Sequence, residues 1–241
     1  MYVAAIVLAA GKGYRLQSRI PKPLIEINSK PIIVYSLNIL SRHPKIKEII
    51  LVANPKNLKD TISKIRQYRI RKIKQVVLGG RMRQDSVING LRAISPKTDL
   101  VLIHDGVRPF IDKKIVSKVI KEAERYGAAL VGVPVKATIK MVAYRKSHIA
   151  YRREVKKTLN RENLWEIQTP QVFRKDLILK AYKKFGNLSV TDDSMLVEKL
   201  GAKVSVVSGS YNNIKITTAE DLVIAEAILS KGKGKGKGRF G

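Results

Sequence analysis

The sequence predicts an α/β fold: a mostly parallel sheet with helices on both faces and a protruding β-arm. Three observations lead there. Through residue 134, short apolar runs alternate with amphipathic segments of helical spacing, the rhythm of successive βαβ units. The first run, residues 3–8, is apolar throughout rather than alternating with polar residues, as a strand covered on both faces requires. Beyond Pro134 the pattern changes to two neighbouring strands with no helix between them, which reads as a hairpin standing off the main body.

Residues 3–8 form a β-branched apolar run typical of a central strand. Ile33, Leu37 and Leu40 space as a helix over 32–40. Residues 48–53 are the next strand, and Leu58, Ile62 and Ile65 mark the next helix. A strand over 73–78 ends at Gly79-Gly80, and a helix carrying Val87, Leu91 and Ile94 follows. Residues 100–103 form a further buried strand, Ile115, Val119 and Ala123 define the helix after it, and 128–133 repeat the strand pattern. Residues 138–144 and 149–155 make the arm, joined by the polar turn Arg145-Lys146-Ser147-His148. A lone hairpin is marginal in water, so a second subunit is expected to cover it, giving a homodimer through the arm. Residues 167–173 return to the main body, and Thr217 with Glu220 reads as a capping box opening a last helix that ends near Leu229. Residues 1–230 are thus expected to form one domain with its arm at about 135–160, and the Lys/Gly repeat over 231–241 a flexible tail.

Composition narrows the function. The 241 residues carry 48 Lys+Arg against 19 Asp+Glu, a net charge of +29, with 44% hydrophobic residues, too apolar for a disordered chain. No apolar run approaches the roughly eighteen residues of a membrane span, and no basic stretch precedes the apolar start, so neither a membrane segment nor a signal peptide is expected and a cytoplasmic location is. The chain has no cysteine, which excludes disulfides, thiolate zinc sites and thiol catalysis; His43, His104 and His148 are too few and scattered for a three-histidine metal site. The positive charge favours partners bearing phosphate. Its spread over helices and loops, aromatic content of 6% and lack of a nucleic-acid motif favour a solvated Lys-rich surface over nucleic acid.

The chemistry concentrates in short segments. The first strand runs into Ala9-Ala10-Gly11-Lys12-Gly13-Tyr14-Arg15, followed by Pro21-Lys22-Pro23-Leu24. Glycines let backbone N–H groups approach phosphates closely, and Lys12, Arg15 and Lys22 add fixed positive charge. The loop is neither a Walker A sequence nor a dinucleotide fingerprint, yet its cations favour phosphate binding over an ordinary turn. Gly79-Gly80-Arg81-Met82-Arg83-Gln84-Asp85-Ser86, His104-Asp105-Gly106-Val107-Arg108, Gln168-Thr169-Pro170-Gln171, Thr191-Asp192-Asp193 and Asn213-Ile214-Lys215 follow in order. Asp105 closes a strand, where parallel sheets carry ligand-binding groups. His104 reads as a packed, hydrogen-bonded histidine rather than a base. Thr191 reads equally as an N-cap ahead of Asp192 and Asp193, and Trp165 as core or arm packing.

This ordered set resembles the 2-C-methyl-D-erythritol 4-phosphate cytidylyltransferase family within the nucleotidyltransferase superfamily. The resemblance implies a Rossmann-like fold of the nucleotide-diphospho-sugar transferase type. It also implies transfer of CMP from CTP to methylerythritol phosphate with release of pyrophosphate, with Mg²⁺ held mainly by the CTP phosphates. By the same resemblance Arg15, Lys22 and Lys215 are the catalytic cations around the α-phosphate. Ala9, Ala10, Gly11, Gly13, Gly80, Arg83, Ser86 and Asp105 match positions around CTP. Arg108, Thr138, Arg161, Thr169 and Thr191 match positions around the polyol phosphate, Thr138 and Arg161 reaching it across the subunit boundary; the metal ligands remain unassigned. Ribitol-5-phosphate cytidylyltransferases share the loop and much of the motif set, sugar-1-phosphate nucleotidylyltransferases share Pro-Lys-Pro-Leu, and a basic nucleic-acid-binding protein on this scaffold is the alternative outside enzymes. Arg161-Glu162-Asn163-Leu164-Trp165 resembles the methylerythritol phosphate cytidylyltransferases rather than the ribitol enzymes. The chain departs from that pattern at Pro23-Leu24, Leu16, Arg81 and Asn212.

Overall fold

The computed structural model describes residues 1–11, 18, 20–146 and 151–233. Gly13 and Arg15, with Lys12, His148 and most of the Lys/Gly repeat, lie outside the described residues. The main sheet is built from β1 (Val3–Ala9), β4 (Ile46–Ala53), β5 (Ile73–Leu78), β6 (Leu100–Asp105), β7 (Ala128–Pro134), β10 (Trp165–Arg174) and β11 (Ser205–Ser208). Its order is β11-β7-β10-β6-β1-β4-β5. All pairings are parallel except those of β10, which runs antiparallel between β6 and β7. A short hairpin, β2 (Glu26–Ile27) with β3 (Lys30–Pro31), lies ahead of α1.

Helices cover both faces, as the continuous apolar strands require. Along β1 alternate residues divide between two cores. Val3, Ala5 and Val7 meet Leu37 and Leu40 of α1 (Ile32–Arg42) and Val116 and Val119 of α4 (Lys113–Tyr126), with Ile65 of α2 (Leu58–Gln67) in the same core. Ala4, Ile6 and Leu8 share the other core with Val87 and Leu91 of α3 (Arg83–Ala93), Ile178 and Ala181 of α5 (Lys175–Phe185) and Leu196 of α6 (Ser194–Lys199). Gly90 is where α3 comes closest to β1: a Cβ there would lie 2.6 Å from Ile6 Cγ2. Among the described residues, no helix is long and apolar enough to cross a membrane.

Some boundaries differ from the sequence reading. The arm consists of β8 (Lys140–Lys146) and β9 (Tyr151–Thr158), so Thr138 precedes the hairpin and Arg145-Lys146 belong to a strand rather than a turn. Trp165 is not a core residue; at 36% exposure it opens β10 opposite Pro134, at the root of the arm. The last helix, α7 (Ala219–Lys233), runs past Leu229, so residues 231–233 continue the helix rather than begin a tail. Its first turn is closed by Asp221, not Glu220: Asp221 Oδ2 accepts from the backbone N–H groups of Thr217 and Thr218 at 2.7 and 2.9 Å. The acceptor is displaced by one residue because the helix starts at Ala219, which makes Asp221 its third position.

Candidate active site

Parallel strands deliver their carboxyl ends to one edge of the sheet, and the candidate residues gather there. β1 delivers Ala9 and Ala10, β5 delivers Gly79 and Gly80, and β6 ends at Asp105. The Gly106 N–H donates to the Leu8 carbonyl at 2.9 Å, which sets Asp105 beside the end of β1. Gly79 must be glycine, because a Cβ would lie 2.1 Å from Ala10 Cβ and 3.0 Å from Ser86 Oγ. The Gly80 N–H donates to Ser86 Oγ at 3.1 Å, and Asn54 Nδ2 donates to the Ala10 carbonyl at 3.1 Å. Ala10, Gly80 and Ser86 therefore form one wall lined by small side chains and backbone. Gly11 follows; among the described residues nothing lies within 4 Å of where a Cβ on it would sit.

Asp105 is the electrostatic centre, only 7% exposed. Lys215 Nζ lies 2.8 Å from Oδ2, Arg83 Nε 3.7 Å from Oδ1 and Arg108 Nε 3.8 Å from Oδ2. Burial alone would raise the pKa of this carboxyl; Lys215 and Arg83 outweigh it and hold the group well below the usual carboxylate range. Asp105 is thus an ionised group around which two cations from distant segments, Arg83 and Lys215, and one from its own loop, Arg108, are fixed.

Behind it a hydrogen-bond chain locks the loop. The Asp105 N–H donates to Thr169 Oγ1 at 3.0 Å, leaving the Thr169 hydroxyl proton to donate to His104 Nδ1 at 3.0 Å. His104 Nε2–H then donates to the Arg108 carbonyl at 3.2 Å. That order requires a neutral imidazole with its proton on Nε2. Burial pushes the His104 pKa down to about 4, more than Asp105 pulls it up, so the ring stays neutral. His104 is the packed, hydrogen-bonded histidine that the sequence suggested.

Arg108 is also buried, its Nη1 donating to the Asn213 carbonyl at 2.8 Å. Fully buried Asn213 donates from Nδ2 to Gln168 Oε1 at 3.1 Å and to the Thr169 carbonyl at 2.9 Å. These bonds tie the loop carrying Lys215 to β10 and to Arg108. Lys22 sits half-buried at the start of a 3₁₀ turn, Lys22–Leu24.

The structure thus unites Ala10, Gly80 and Ser86 in one wall, and Arg83, Asp105, Arg108, Thr169 and Lys215 in one charged cluster, with Ala9 at the head of β1. Thr138 and Arg161 lie apart, both exposed at the root of the arm, where Arg161 Nη1 donates to the Lys136 carbonyl. Thr191 is exposed and does not cap α6; the N-cap position belongs to Asp193. Asp193, Tyr182 and Asn213 carry contacts the sequence reading did not assign. The available signal was scarcity: with only 19 acidic residues in the chain, adjacent Asp192 and Asp193 inside a motif pointed to specific partners.

A cluster of cations at a glycine-lined strand end is suited to anionic, phosphate-bearing ligands. The sequence profile of the 2-C-methyl-D-erythritol 4-phosphate cytidylyltransferase family matches residues 3–231. The chain is 47% identical to the enzyme of that name from Syntrophus aciditrophicus, covering 95% of this chain and 96% of the other. It is 44% identical to the one from Clostridium botulinum strain 657, covering 95% and 97%. Among solved structures, 4-diphosphocytidyl-2C-methyl-D-erythritol synthase from Anaerococcus prevotii superposes with a TM-score of 0.81 at 36% identity, covering 95% and 96%. The Thermus thermophilus 2-C-methyl-D-erythritol 4-phosphate cytidylyltransferase superposes with a TM-score of 0.73 at 29% identity, covering 95% and 100%. With a fold, a charged strand-end cluster and a sequence that agree over nearly its whole length, this chain belongs to the 2-C-methyl-D-erythritol 4-phosphate cytidylyltransferase family.

Proposed function

We infer that this chain transfers CMP from CTP to 2-C-methyl-D-erythritol 4-phosphate, giving CDP-methylerythritol and pyrophosphate in isoprenoid precursor synthesis. The observation that carries the reading is the Lys215–Asp105 contact of 2.8 Å, flanked by Arg83 and Arg108 and set beside the Ala10–Gly80–Ser86 wall. An oxygen of the polyol phosphate attacks the α-phosphorus of CTP, and the bond to the pyrophosphate oxygen breaks. Two anions must meet, so the chain's work is positioning and charge neutralisation.

Asp105 holds the Lys215 ammonium at the strand end, which uses one of its three N–H donors and leaves the others for phosphate oxygens. Arg15 and Lys22 are assigned to the phosphates from the other side of the loop. Ala9, Ala10, Gly11, Gly13, Gly80, Arg83 and Ser86 are assigned to the nucleotide, where backbone groups and the Ser86 hydroxyl complement the donor and acceptors of cytosine. Arg108, Thr169 and Thr191 are assigned to the polyol phosphate. Thr138 and Arg161 are assigned to it from the arm of a second subunit in a homodimer. The exposed apolar side chains of the arm support that assembly: Tyr144 is 69% exposed and Val155 62%.

Among the described residues, no group of three or more His, Asp or Glu could hold a metal ion. Mg²⁺ in nucleotide sites keeps several waters and binds through one or two carboxylates plus substrate phosphates. The ionised Asp105 fits such a single contact, with the CTP phosphates supplying the rest. Mg²⁺ bound there would neutralise triphosphate charge.

The test is pyrophosphate release by purified protein with Mg²⁺, CTP and either methylerythritol phosphate or ribitol 5-phosphate. Turnover with the first alone is expected; preference for the second would move the chain to the ribitol reading, and no release with either would overturn both.

A further inference from the structure

Behind Arg83 the fold buries a second carboxylate that the reaction as described does not use. Asp193, at the head of α6, is completely buried. Its two oxygens accept from Arg83 Nη1 at 2.9 Å and Nη2 at 2.7 Å, a bidentate pair. The Tyr182 hydroxyl, from α5, also donates to Asp193 Oδ1. Burial, reinforced by Asp193, pushes the Tyr182 pKa well up, so that hydroxyl remains a donor. Neighbouring Asp192 has a separate job: it accepts from Gln171 Nε2 at 2.7 Å and, at the start of α6, from the Met195 N–H at 3.2 Å.

We propose that Asp193, braced by Tyr182, is a positioning residue that aims the Arg83 guanidinium at the nucleotide; this rests on the assignment of Arg83 to CTP. Arg83 stands between two carboxylates, bidentate on Asp193 and with its Nε 3.7 Å from Asp105. Remove the charge on Asp193 and the nearest opposite charge for Arg83 is Asp105, the carboxylate that holds Lys215. Two cations then compete for one anchor. Asp193 keeps them apart, so Arg83 and Lys215 present separate sets of N–H donors to the ligand. A stability role alone explains the arrangement poorly, since buried ion pairs are often no better than apolar packing. This chain commits one of its few acids, fully desolvated, to a single arginine whose side chain stays 30% exposed and whose Nε faces Asp105 at 3.7 Å.

The experiment measures CTP affinity by calorimetry and both KM values by pyrophosphate release. It compares the wild type with Asp193→Asn, Tyr182→Phe, Arg83→Gln and the Arg83→Gln/Asp193→Asn pair, with a thermal melt of each. Groups that orient a binding residue in metal sites contribute about ten- to hundredfold to affinity, and Asp193→Asn is expected to weaken CTP binding by a similar factor while leaving the polyol-phosphate KM within about twofold. Tyr182→Phe removes one hydrogen bond and should weaken CTP binding about two- to tenfold. The double variant should bind CTP no worse than Arg83→Gln alone. A folded Asp193→Asn with wild-type CTP affinity, or additive losses in the double variant, would overturn the proposal. If Asp193→Asn does not fold, Tyr182→Phe decides, and unchanged CTP affinity in that variant overturns it. A wild type that does not bind CTP overturns the nucleotide assignment and this proposal with it, whereas wild-type binding with unaffected variants overturns the positioning role alone.

Discussion

The Asp105 cluster and the arm handle charge in different surroundings. Asp105 ends a strand held on both sides by β1 and β10, and its partners come from four separate stretches of chain. Among the described residues β8 and β9 pair with each other and join no other strand, and the side chain of Arg152 on β9 is 79% exposed. In the cluster each cation is held by a carboxylate, and Arg108 by burial as well, so its direction is set before a ligand arrives. On the arm, screening by water and salt leaves an ion pair worth about 0–1 kcal/mol, and an orienting surface has to come from elsewhere. Preorganised charge belongs to the sheet; adjustable charge belongs to the arm.

That contrast can be broken by experiment, most forcefully at the cluster. Lys215→Ala removes a charge assigned to the reacting phosphates, and kcat should fall by about a hundred- to thousandfold; Lys22→Ala should behave alike. Turnover close to wild type in Lys215→Ala would dissolve the claim that the cluster is electrostatically prepared, and in Lys22→Ala it would remove the assignment of Lys22. Thr169→Val deletes the hydroxyl between Asp105 N–H and His104 and leaves buried polar atoms unpaired. It should lower stability by about 1–3 kcal/mol in denaturant unfolding, and an unchanged midpoint would show that the chain is dispensable.

The arm should answer differently. Arg161→Ala is expected to raise the polyol-phosphate KM by about tenfold, a loss near 1.4 kcal/mol, with the melting temperature and the CTP KM unmoved. A fall in kcat at unchanged KM would mean that the arm, too, acts on the transition state. The smallest effect is pH-dependent. His104 titrates at about 4 in the folded chain against 6.5 ordinarily, so unfolding takes up a proton between these values. Its stabilisation is complete above pH 6.5 and lost as pH falls toward 4; buried His43, also pushed down by burial, acts in the same direction. The melting temperature should drop across that window, and His104→Asn should shrink the drop; a profile unchanged by the substitution would contradict the neutral-imidazole chain.

β1, β4, β6 and β7 were legible because each carries a continuous apolar run, and the helices between them because each shows a stripe, signals that are local in sequence; β11, only Ser-Val-Val-Ser, carries too short a run to mark it. The antiparallel course of β10 was not legible, since strand direction depends on which neighbours it joins, here Pro134 opposite Trp165 and Leu100 opposite Arg174. α5 and α6 are less legible, since the stripe of α5 is short, Ile178 with Ala181 and Tyr182, and α6 spans only six residues. At the site, Asp105 was marked by its place at a strand end, and His104 by its apolar surroundings. Asp193 and Tyr182 could not be paired with Arg83 by sequence: the arginine is 110 positions from the carboxylate, and nothing local records that contact. Thr138 was placed inside the hairpin because its β-branched character continues the strand pattern, whereas pairing begins only at Lys140, opposite Thr158.

The pairing of Pro134 with Trp165 has a consequence for how this architecture can change. The chain departs from one strand and comes back as its immediate antiparallel neighbour. Everything from 135 to 164 is therefore, topologically, an overgrown loop. Cutting it back to a turn of about two residues, the commonest hairpin connection, would leave every pairing of the seven-stranded sheet intact. Lineages can lengthen, shorten or redecorate this appendage while the scaffold beneath it stands unaltered.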